Sequence, residues 1–182
     1  MQASICVFCG SRSGKQPEFE QAAKEFGHRF SANGWRLVYG AGDVGLMGAV
    51  ARTVQAGGGD AFGVIPTHLL QKEQGKVDLT RFVVTENMHE RKKVMFMNSD
   101  AIVILPGGPG TMDEFFEVLT WRQLGLHKKP ILVLDVGGYW QPLLALMDSI
   151  IEQGFADASM LEYFQAVSTV DELEAKLITA LS

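Results

Sequence analysis

The 182-residue chain has little cysteine, no long apolar run and no excess of basic residues, and each shortage excludes a class of protein. No stretch approaches the roughly 18 apolar residues that a membrane-spanning helix needs. The amino terminus, MQASICVF, has no basic residues before its short apolar run, unlike a signal peptide. We therefore expect a cytoplasmic protein.

The charge balance limits the partners that the protein can bind. The chain carries 16 Lys and Arg against 21 Asp and Glu, for a formal net charge of −5. A general surface for nucleic acid or for anionic membranes is therefore not expected. An anionic ligand would have to be held by local groups. At this length we expect one domain, residues 1–182, which would bury roughly 70% of its unfolded surface.

The two cysteines, Cys6 and Cys9, form the sequence CVFC. A redox pair or half of a metal site is one interpretation of this spacing. Cys6, however, lies in the apolar run ICVF, where successive side chains of a strand point to opposite faces. An odd separation would put the two thiols on opposite sides, and the chain has no second pair. We predict buried, non-catalytic thiols.

Apolar runs rich in Val, Ile and Leu alternate with amphipathic segments of helical length along the chain. This alternation predicts an α/β protein with a Rossmann-like, doubly wound, mainly parallel sheet of about seven strands and helices on both faces. The predicted strands are 4–8, 36–39, 61–65, 81–85, 101–105, 131–135 and 165–168. The predicted helices are 17–32, 46–55, 88–98, 112–124, 140–153 and 170–181.

Several helix ends carry recognisable signals. Pro17 suits a first helical turn, and Gly34 suits a helix end. Thr169 with Glu172 three residues later is typical of a capping box.

Three glycine-rich loops follow predicted strands: FCGSRSG after the first, YGAGDVG after the second and LPGGPGT after the fifth. In a doubly wound sheet, ligands bind at the carboxyl ends of the strands, where the strand order reverses. We therefore expect the three loops at one edge of the sheet, close to each other and to any ligand.

The second loop, Gly40-Ala41-Gly42-Asp43-Val44-Gly45, fits the pattern G-x-G-x-x-G between a strand and a helix. Such a loop can offer backbone N–H groups to a phosphate. Tight packing of the helix on the strand is the alternative. A dinucleotide site is disfavoured, because the acidic residue that would bind the ribose should end the next strand, whereas Asp60 comes just before AFGVI.

The third loop contains more glycine than a turn requires and is followed by Glu114. Thr111 is a predicted N-cap, and the preceding glycines would leave amide groups open to an anion. A capping box, with Glu114 turned back to the N–H of Thr111, is the alternative role for this carboxylate. That alternative leaves the extra glycines unexplained.

A cluster of cations lies in the sequence ENMHERKKV. Asn87 can cap a helix with Glu90 as its third residue, which puts Arg91 and Lys92 near the amino-terminal end. Positive charges there oppose the helix dipole, at about 0.3–1 kcal/mol each. A solvated basic patch is one interpretation. An arginine beside the apolar stripe of this helix would instead need a carboxylate or phosphate partner, which indicates an anionic ligand.

Two of these stretches together, MHERK and SDAIVILPGGPGTMDE, resemble the pair MHxRK and PGGxGTxxE of the LOG family, the cytokinin riboside 5′-monophosphate phosphoribohydrolases. The resemblance extends through CVFCGSRSG, LVYGAGDVGLMGAVA, GVIP, LTWRQLGLHKKPI and GYW, and so covers essentially the whole chain. Two residues depart from the family pattern. Pro109 stands where many members have tyrosine, and Ala41 where glycine is frequent.

The resemblance implies a homodimeric enzyme that hydrolyses the N-glycosidic bond of N6-modified adenosine 5′-monophosphates to a free base and ribose 5-phosphate. It needs no metal and no redox cofactor. Arg91 and Glu114 take the catalytic positions. The implied substrate-binding residues are Glu73, Lys92, Gly108, Pro109, Gly110, Thr111, Met112, Asp113 and Thr120. Amides of the three loops, with Gly10, Ser11, Gly40, Gly42, Gly45 and Gly107, would hold the 5′-phosphate.

Three other functions stay open at this point. A nucleosidase of plain AMP or other purine monophosphates would use the same residues. A non-catalytic nucleotide or cofactor carrier would keep the glycine loops without needing Glu114. A lysine decarboxylase, the label often given to this family, would need a Schiff-base lysine and a partner for the pyridinium nitrogen. Lys92 and Lys93 are available, but nothing else in the sequence is typical of that site.

Overall fold

The computed structural model describes residues 2–70 and 81–182, and its centre is a sheet of seven parallel strands. The strands are arranged in the order β4-β3-β2-β1-β5-β6-β7. Helices cover both faces of this sheet, so the predicted Rossmann-like α/β fold is confirmed. In the described part of the chain, no helix has the length and apolar character needed to cross a bilayer.

The strand and helix bounds follow the prediction closely. The strands are β1 (Ser4–Phe8), β2 (Arg36–Tyr39), β3 (Asp60–Pro66), β4 (Arg81–Thr85), β5 (Ala101–Ile104), β6 (Ile131–Leu134) and β7 (Gln165–Val167). The helices are α1 (Pro17–Asn33), α2 (Gly45–Ala56), α3 (Thr67–Leu70), α4 (Met88–Met97), α5 (Pro109–Gln123), α6 (Gln141–Glu152) and α7 (Val170–Leu181). The prediction omitted the four-residue helix α3 and two short 3-10 helices, Val136–Gly138 and Ala158–Glu162.

The predicted end signals of α1, α4 and α7 are confirmed, whereas that of α5 is wrong. Pro17 begins α1, and Gly34 ends it with a φ of 65°. The side chains of Asn87 and Thr169 accept the N–H groups of Glu90 and Glu172. Helix α5 begins three residues earlier than predicted, because proline is compatible with the first helical position.

Alternate residues of the central strands enter two separate apolar layers. Ile5 and Val7 of β1 pack in the layer that contains Phe26 and Phe30 of α1. The intervening Cys6 and Phe8 pack in the opposite layer, with residues of α4, α5 and α6. Cys9 belongs to the first layer, so the two thiols lie on opposite sides, as predicted. Burial raises the pKa of both thiols, which keeps them protonated.

The strand order reverses between β1 and β5, which places the loops that follow these strands side by side. Their pairing joins Ile5 to Ala101 and Phe8 to Ile104. It continues beyond the strands, where the N–H of Gly10 donates to the carbonyl of Pro106 over 3.0 Å. The crevice at this reversal is where an open α/β sheet binds its ligands.

The loop between β2 and α2 packs against the loop after β1. The N–H groups of Leu46 and Met47 both donate to the carbonyl of Gly10, over 3.1 and 3.3 Å. Gly45 has a φ of 61°, and a Cβ atom there would lie 2.3 Å from the carbonyl carbon of Ser11. These contacts fix the start of α2 against the first loop. For Gly45, the last glycine of the G-x-G-x-x-G sequence, these contacts favour a role in packing the helix against the first loop.

We expect Gly45→Ala to lower the free energy of unfolding by at least about 2 kcal/mol, because it adds overlap with the Ser11 backbone to the cost of a left-handed residue. Gly58→Ala is the matched control. Gly58 has a φ of 74° with no atom within 4 Å of a Cβ, so that change should cost about 1 kcal/mol. Urea unfolding followed by circular dichroism measures both. Equal losses in the two variants would contradict the packing role of Gly45.

Candidate active site

A cavity of about 560 Å³ opens at the carboxyl edge of the sheet, where the loops after β1, β2 and β5 meet. Its lining brings together ten of the predicted site residues from four separate parts of the sequence. These are Gly10, Ser11, Gly40, Arg91, Gly107, Gly108, Pro109, Gly110, Thr111 and Glu114. The three glycine-rich loops therefore lie at one edge of the sheet, as expected, and Arg91 of α4 joins them there.

The start of α5 supplies the open amide groups of this cavity. Gly108 is the N-cap, with no side-chain cap, and Pro109 is the first helical residue. Within the described residues, no acceptor takes the N–H of Gly108, Gly110 or Thr111. Free N–H groups at the start of a 15-residue helix form a site that favours an anion.

The prediction that Thr111 caps this helix is wrong. Thr111 is the third residue of α5 and its side chain is buried. A Cβ atom at Gly107 would lie 2.0 Å from the Oγ1 of Thr111, so the helix turns close to the glycine loop there. Since the cap lies at Gly108, a capping box between Thr111 and Glu114 is excluded. Glu114 lies one turn further along α5, in the cavity wall.

Arg91 reaches the cavity from α4 with its guanidinium buried; the residue is only 4% exposed. Its Nε donates to the carbonyl of Val64 over 3.1 Å, and its Nη2 donates to the carbonyl of Gly40 over 2.7 Å. The sequence predicted a carboxylate or phosphate as the partner of Arg91. The structure shows that two backbone carbonyls, on the neighbouring strands β2 and β3 or directly after them, also accept hydrogen bonds from its guanidinium. A Cβ atom at Gly40 would lie 1.9 Å from Nη2, so the guanidinium fits only against glycine.

Glu114 and Arg91 act on the same part of the cavity electrostatically. Cys9 lines the cavity. Burial raises the pKa of its thiol most, and the negative charge of the Glu114 carboxylate raises it further. The Arg91 guanidinium opposes that effect. The cavity floor therefore lies within range of one negative and one positive side chain. Cys9 itself stays a neutral thiol.

Lys92 lies beside Arg91 in sequence but not in the cavity lining. Its Nζ pairs with Asp113 over 2.9 Å and with Glu117 over 3.2 Å, which ties α4 to α5. Burial alone would lower the pKa of Lys92, but the hydrogen bonds that its ammonium donates to the two carboxylates outweigh that effect, and the pKa is raised. The ammonium is therefore charged at neutral pH, and the tie persists until strongly alkaline pH.

None of the other predicted residues that the structure describes lines the cavity. Gly42 and Gly45 do not line it, and the amides that follow Gly45 are used by the Gly10 carbonyl. A phosphate role for Gly42 and Gly45 therefore stays a prediction. Met112, Asp113 and Thr120 also lie outside the lining. Glu73 lies outside the described residues.

Several lining residues were not predicted. They include Arg12, Ser13, Phe19, Leu46, Met47, Leu69, Met88, Met95 and Tyr139. Met47, Met88 and Met95 follow an apolar pattern that is more typical of a core, so no sequence signal separated them from buried residues. Tyr139 could have been found: it lies in the sequence GYW after β6, the strand beside β5.

The two departures from the family pattern have clear structural settings. Ala41 has a φ of 57°, a left-handed conformation in which glycine would be unstrained. Pro109 lies in the cavity wall at the first turn of α5, where it contributes no N–H group. The anion-binding donors at this helix start are therefore the amides on either side of Pro109.

Solved structures with the same fold include two molybdenum cofactor proteins. The molybdenum cofactor binding protein of Rippkaea orientalis aligns with a TM-score of 0.75 at 17% identity, covering 100% of this chain and 99% of its own. The molybdenum cofactor carrier protein of Chlamydomonas reinhardtii aligns with a TM-score of 0.75 at 20% identity, with the same coverage. At these identities the likeness shows the fold alone.

Sequence relatives are much closer. A family model described as "Possible lysine decarboxylase" matches residues 47–177. A probable cytokinin riboside 5′-monophosphate phosphoribohydrolase of Oryza sativa subsp. japonica, LOG4, is 45% identical over 97% of this chain and 77% of its own length. The cytokinin riboside 5′-monophosphate phosphoribohydrolase LOG3 of Arabidopsis thaliana is 41% identical over 95% of this chain and 80% of its own. These matches show that the chain belongs to the LOG family of cytokinin riboside 5′-monophosphate phosphoribohydrolases.

Proposed function

We propose that the protein hydrolyses the N-glycosidic bond of N6-modified adenosine 5′-monophosphates, such as a cytokinin riboside 5′-monophosphate, and releases the base and ribose 5-phosphate. The observation that carries this proposal is the juxtaposition of open helix amides, a carboxylate and a guanidinium in one cavity. Relatives at 41–45% identity that carry this activity in their names support it.

The phosphate binds at the start of α5, on the amides of Gly108, Gly110 and Thr111. These amides have no acceptor among the described residues, whereas the amides after Gly45 are taken by the Gly10 carbonyl. Ser11 and Arg12 line the same region and add a hydroxyl and a positive charge. A net charge of −5 on the whole chain makes this local concentration of donors necessary.

Glu114 then acts on the ribose. It lies four residues beyond Gly110, which is roughly 6 Å along a helix axis, so a sugar attached to the bound phosphate comes beside it. As the bond between C1′ and the base breaks, its electron pair leaves with the base and the ribose becomes oxocarbenium-like. The carboxylate stabilises that positive charge and takes the proton of the attacking water, whose oxygen bonds to C1′. The departing base takes a proton from solvent, and Glu114 returns its own proton to solvent, so that base and ribose 5-phosphate leave a regenerated site.

Arg91 acts as a fixed positive charge and hydrogen-bond donor. An arginine does not deprotonate in proteins, so it is not the proton donor for the base. Its Nε and Nη2 are held by the carbonyls of Val64 and Gly40, which orients the guanidinium in the cavity wall. From there it attracts the phosphate or the departing base. Lys92, with Asp113, contributes by holding α4 against α5.

The apolar wall of the cavity suits the base and its N6 substituent. Met47, Leu69, Met88 and Met95 all line the cavity. Methionine side chains are flexible and polarizable, and adapt to apolar groups of different shape. An alkyl substituent on N6 would bury against these residues.

A lysine decarboxylase is not supported by the residues present. Schiff-base chemistry needs a lysine at the cofactor, with a neutral amine. Among the described residues that line the cavity there is no lysine. Lys92 is paired with two carboxylates that raise its pKa, and Lys93 is exposed. These positions do not fit such a site.

The homodimer and the cytoplasmic location stay predictions. The molecular mass in analytical ultracentrifugation tests the first, and cell fractionation tests the second.

Glu114→Gln should abolish detectable base release, a loss of at least about 100-fold, because an amide neither carries the negative charge nor takes a proton. Nucleotide binding should survive. The measurement is chromatographic detection of free base, together with calorimetric binding of the nucleotide. Glu152→Gln, which neutralises an exposed carboxylate at the end of α6, is the control. Near-normal turnover of Glu114→Gln would contradict the catalytic role of this carboxylate. A wild-type protein that binds the nucleotide but releases no base would instead favour a carrier.

Gly40→Ala should reduce turnover toward the level of Arg91→Ala, because the new methyl group would occupy the position of Nη2. A double-mutant cycle separates this effect from general damage. In the Arg91→Ala background, the Gly40→Ala change should cost little more, since the displaced group is already absent. If the losses in kcat of the two single variants multiplied in the double variant, Gly40→Ala would not act by displacing the Arg91 guanidinium.

Isopentenyl-AMP should be hydrolysed with a kcat/KM about 10- to 100-fold above that of AMP, because the alkyl group buries several carbons against the apolar wall. The assay measures released base from a panel of nucleoside monophosphates under identical conditions. Equal values for the two substrates would instead identify a general purine-monophosphate nucleosidase.

A further inference from the structure

We propose that Tyr139 is a positioning residue of this site: its hydroxyl holds the peptide between Gly107 and Gly108 so that the Gly108 N–H faces the bound phosphate. This inference rests on the proposed function only for the identity of the anion. It adds to the site a residue from the loop after β6, outside the sequence motifs that define the helix start.

The hydroxyl of Tyr139 donates to the carbonyl of Gly107 over 2.6 Å. Its ring is fixed from two sides by edge contacts, with Phe19 at 5.3 Å and with Trp140 at 4.8 Å between ring centroids. Tyr139 and Phe19 both line the cavity. The hydrogen bond therefore joins the cavity wall to the glycine loop.

Peptide geometry makes this bond significant for the anion site. The carbonyl of Gly107 and the N–H of Gly108 belong to one planar trans peptide, so they point in opposite directions. Holding the carbonyl toward Tyr139 holds the N–H away from it. If the peptide rotated, the carbonyl oxygen would take the place of the N–H and would repel a phosphate.

This peptide needs an external constraint because glycines flank it. A Cβ at Gly107 would lie 2.0 Å from the Oγ1 of Thr111 and 2.9 Å from the nitrogen of Gly10, so no larger residue fits there. At Gly108, no atom lies within 4 Å of a Cβ position. Glycine backbones rotate more freely than others, and neither residue has a side chain that could fix the peptide. The Tyr139 hydroxyl supplies that constraint.

A buried carboxylate holds Tyr139 in place. Asp135 follows β6 and is 6% exposed. Its Oδ1 accepts the N–H of Trp140 over 2.6 Å, and its Oδ2 accepts from the side chain of Gln141 over 2.6 Å. These bonds fix the turn that carries Tyr139. A chain of hydrogen-bonded groups thus runs from the end of β6 to the start of α5.

The test is Tyr139→Phe, which removes only the hydroxyl and keeps the ring contacts. Binding of inorganic phosphate and of ribose 5-phosphate is measured by calorimetry, and the amide resonance of Gly108 is followed by NMR during the phosphate titration. We expect Kd for both ligands to rise about 3- to 10-fold, the effect of one lost hydrogen bond. The phosphate-induced shift of the Gly108 resonance should shrink, while the Kd of free adenine stays unchanged and the melting temperature falls by only a few degrees, as expected for one lost hydrogen bond.

Tyr163→Phe is the matched control, since it removes a tyrosine hydroxyl outside the cavity. It should leave all of these values at the wild-type level. An unchanged phosphate Kd in Tyr139→Phe, or a wild-type Gly108 resonance that phosphate does not move, would overturn the inference. Base release is assayed separately. If the wild-type protein releases no base while Tyr139→Phe still weakens phosphate binding, the inference stands and the proposed hydrolase activity fails.

Discussion

The pairing of β1 with β5 is the constraint on which the rest of the site depends. It makes two strands that are far apart in sequence neighbours at the point where the strand order reverses. The pairing continues into the loops through the bond from Gly10 to Pro106, and the Gly10 carbonyl in turn accepts two amides of α2. The three glycine-rich loops are thereby assembled around one cavity before any side chain of the site is considered.

The backbone amides of these loops divide into two groups with different roles. The amides of Gly10, Leu46 and Met47 have protein acceptors and hold the loops together. Those of Gly108, Gly110 and Thr111 have none among the described residues. An unsatisfied N–H at a cavity is stabilised by an anionic ligand, so the second group supports the proposed phosphate site.

The fold and much of the cavity could be predicted from the sequence, and the errors have identifiable causes. The alternation of Val- and Ile-rich runs with helical segments predicted all seven strands within about two residues, because burial on both faces leaves a strong pattern. The convergence of Arg91 and Glu114 followed from the motifs of the family. Thr111 was misplaced as a cap because Pro109 can begin a helix as readily as precede one.

Other features could not be read from the sequence, because they depend on contacts between distant segments. The pattern G-x-G-x-x-G is compatible with phosphate binding and with packing, and only the bonds to Gly10 separate the two roles for its last glycine. The lining methionines are indistinguishable from core residues in a one-dimensional pattern. The partners of Lys92 lie 21 and 25 positions away, on another helix.

The ion pairs of Lys92 explain how α4 and α5 present their reactive side chains to the same space. Successive residues of a helix differ by about 100° around its axis, so neighbouring side chains serve different neighbours. On α4, Lys92 points to α5 while Arg91 points to the cavity; on α5, Asp113 meets Lys92 while Glu114 lines the cavity. The pair at 92 and 113 therefore also connects the two helices that carry Arg91 and Glu114. In the proposed hydrolase, a nucleotide in this cavity would meet a guanidinium and a carboxylate on two helices that are joined by charged residues outside the cavity lining.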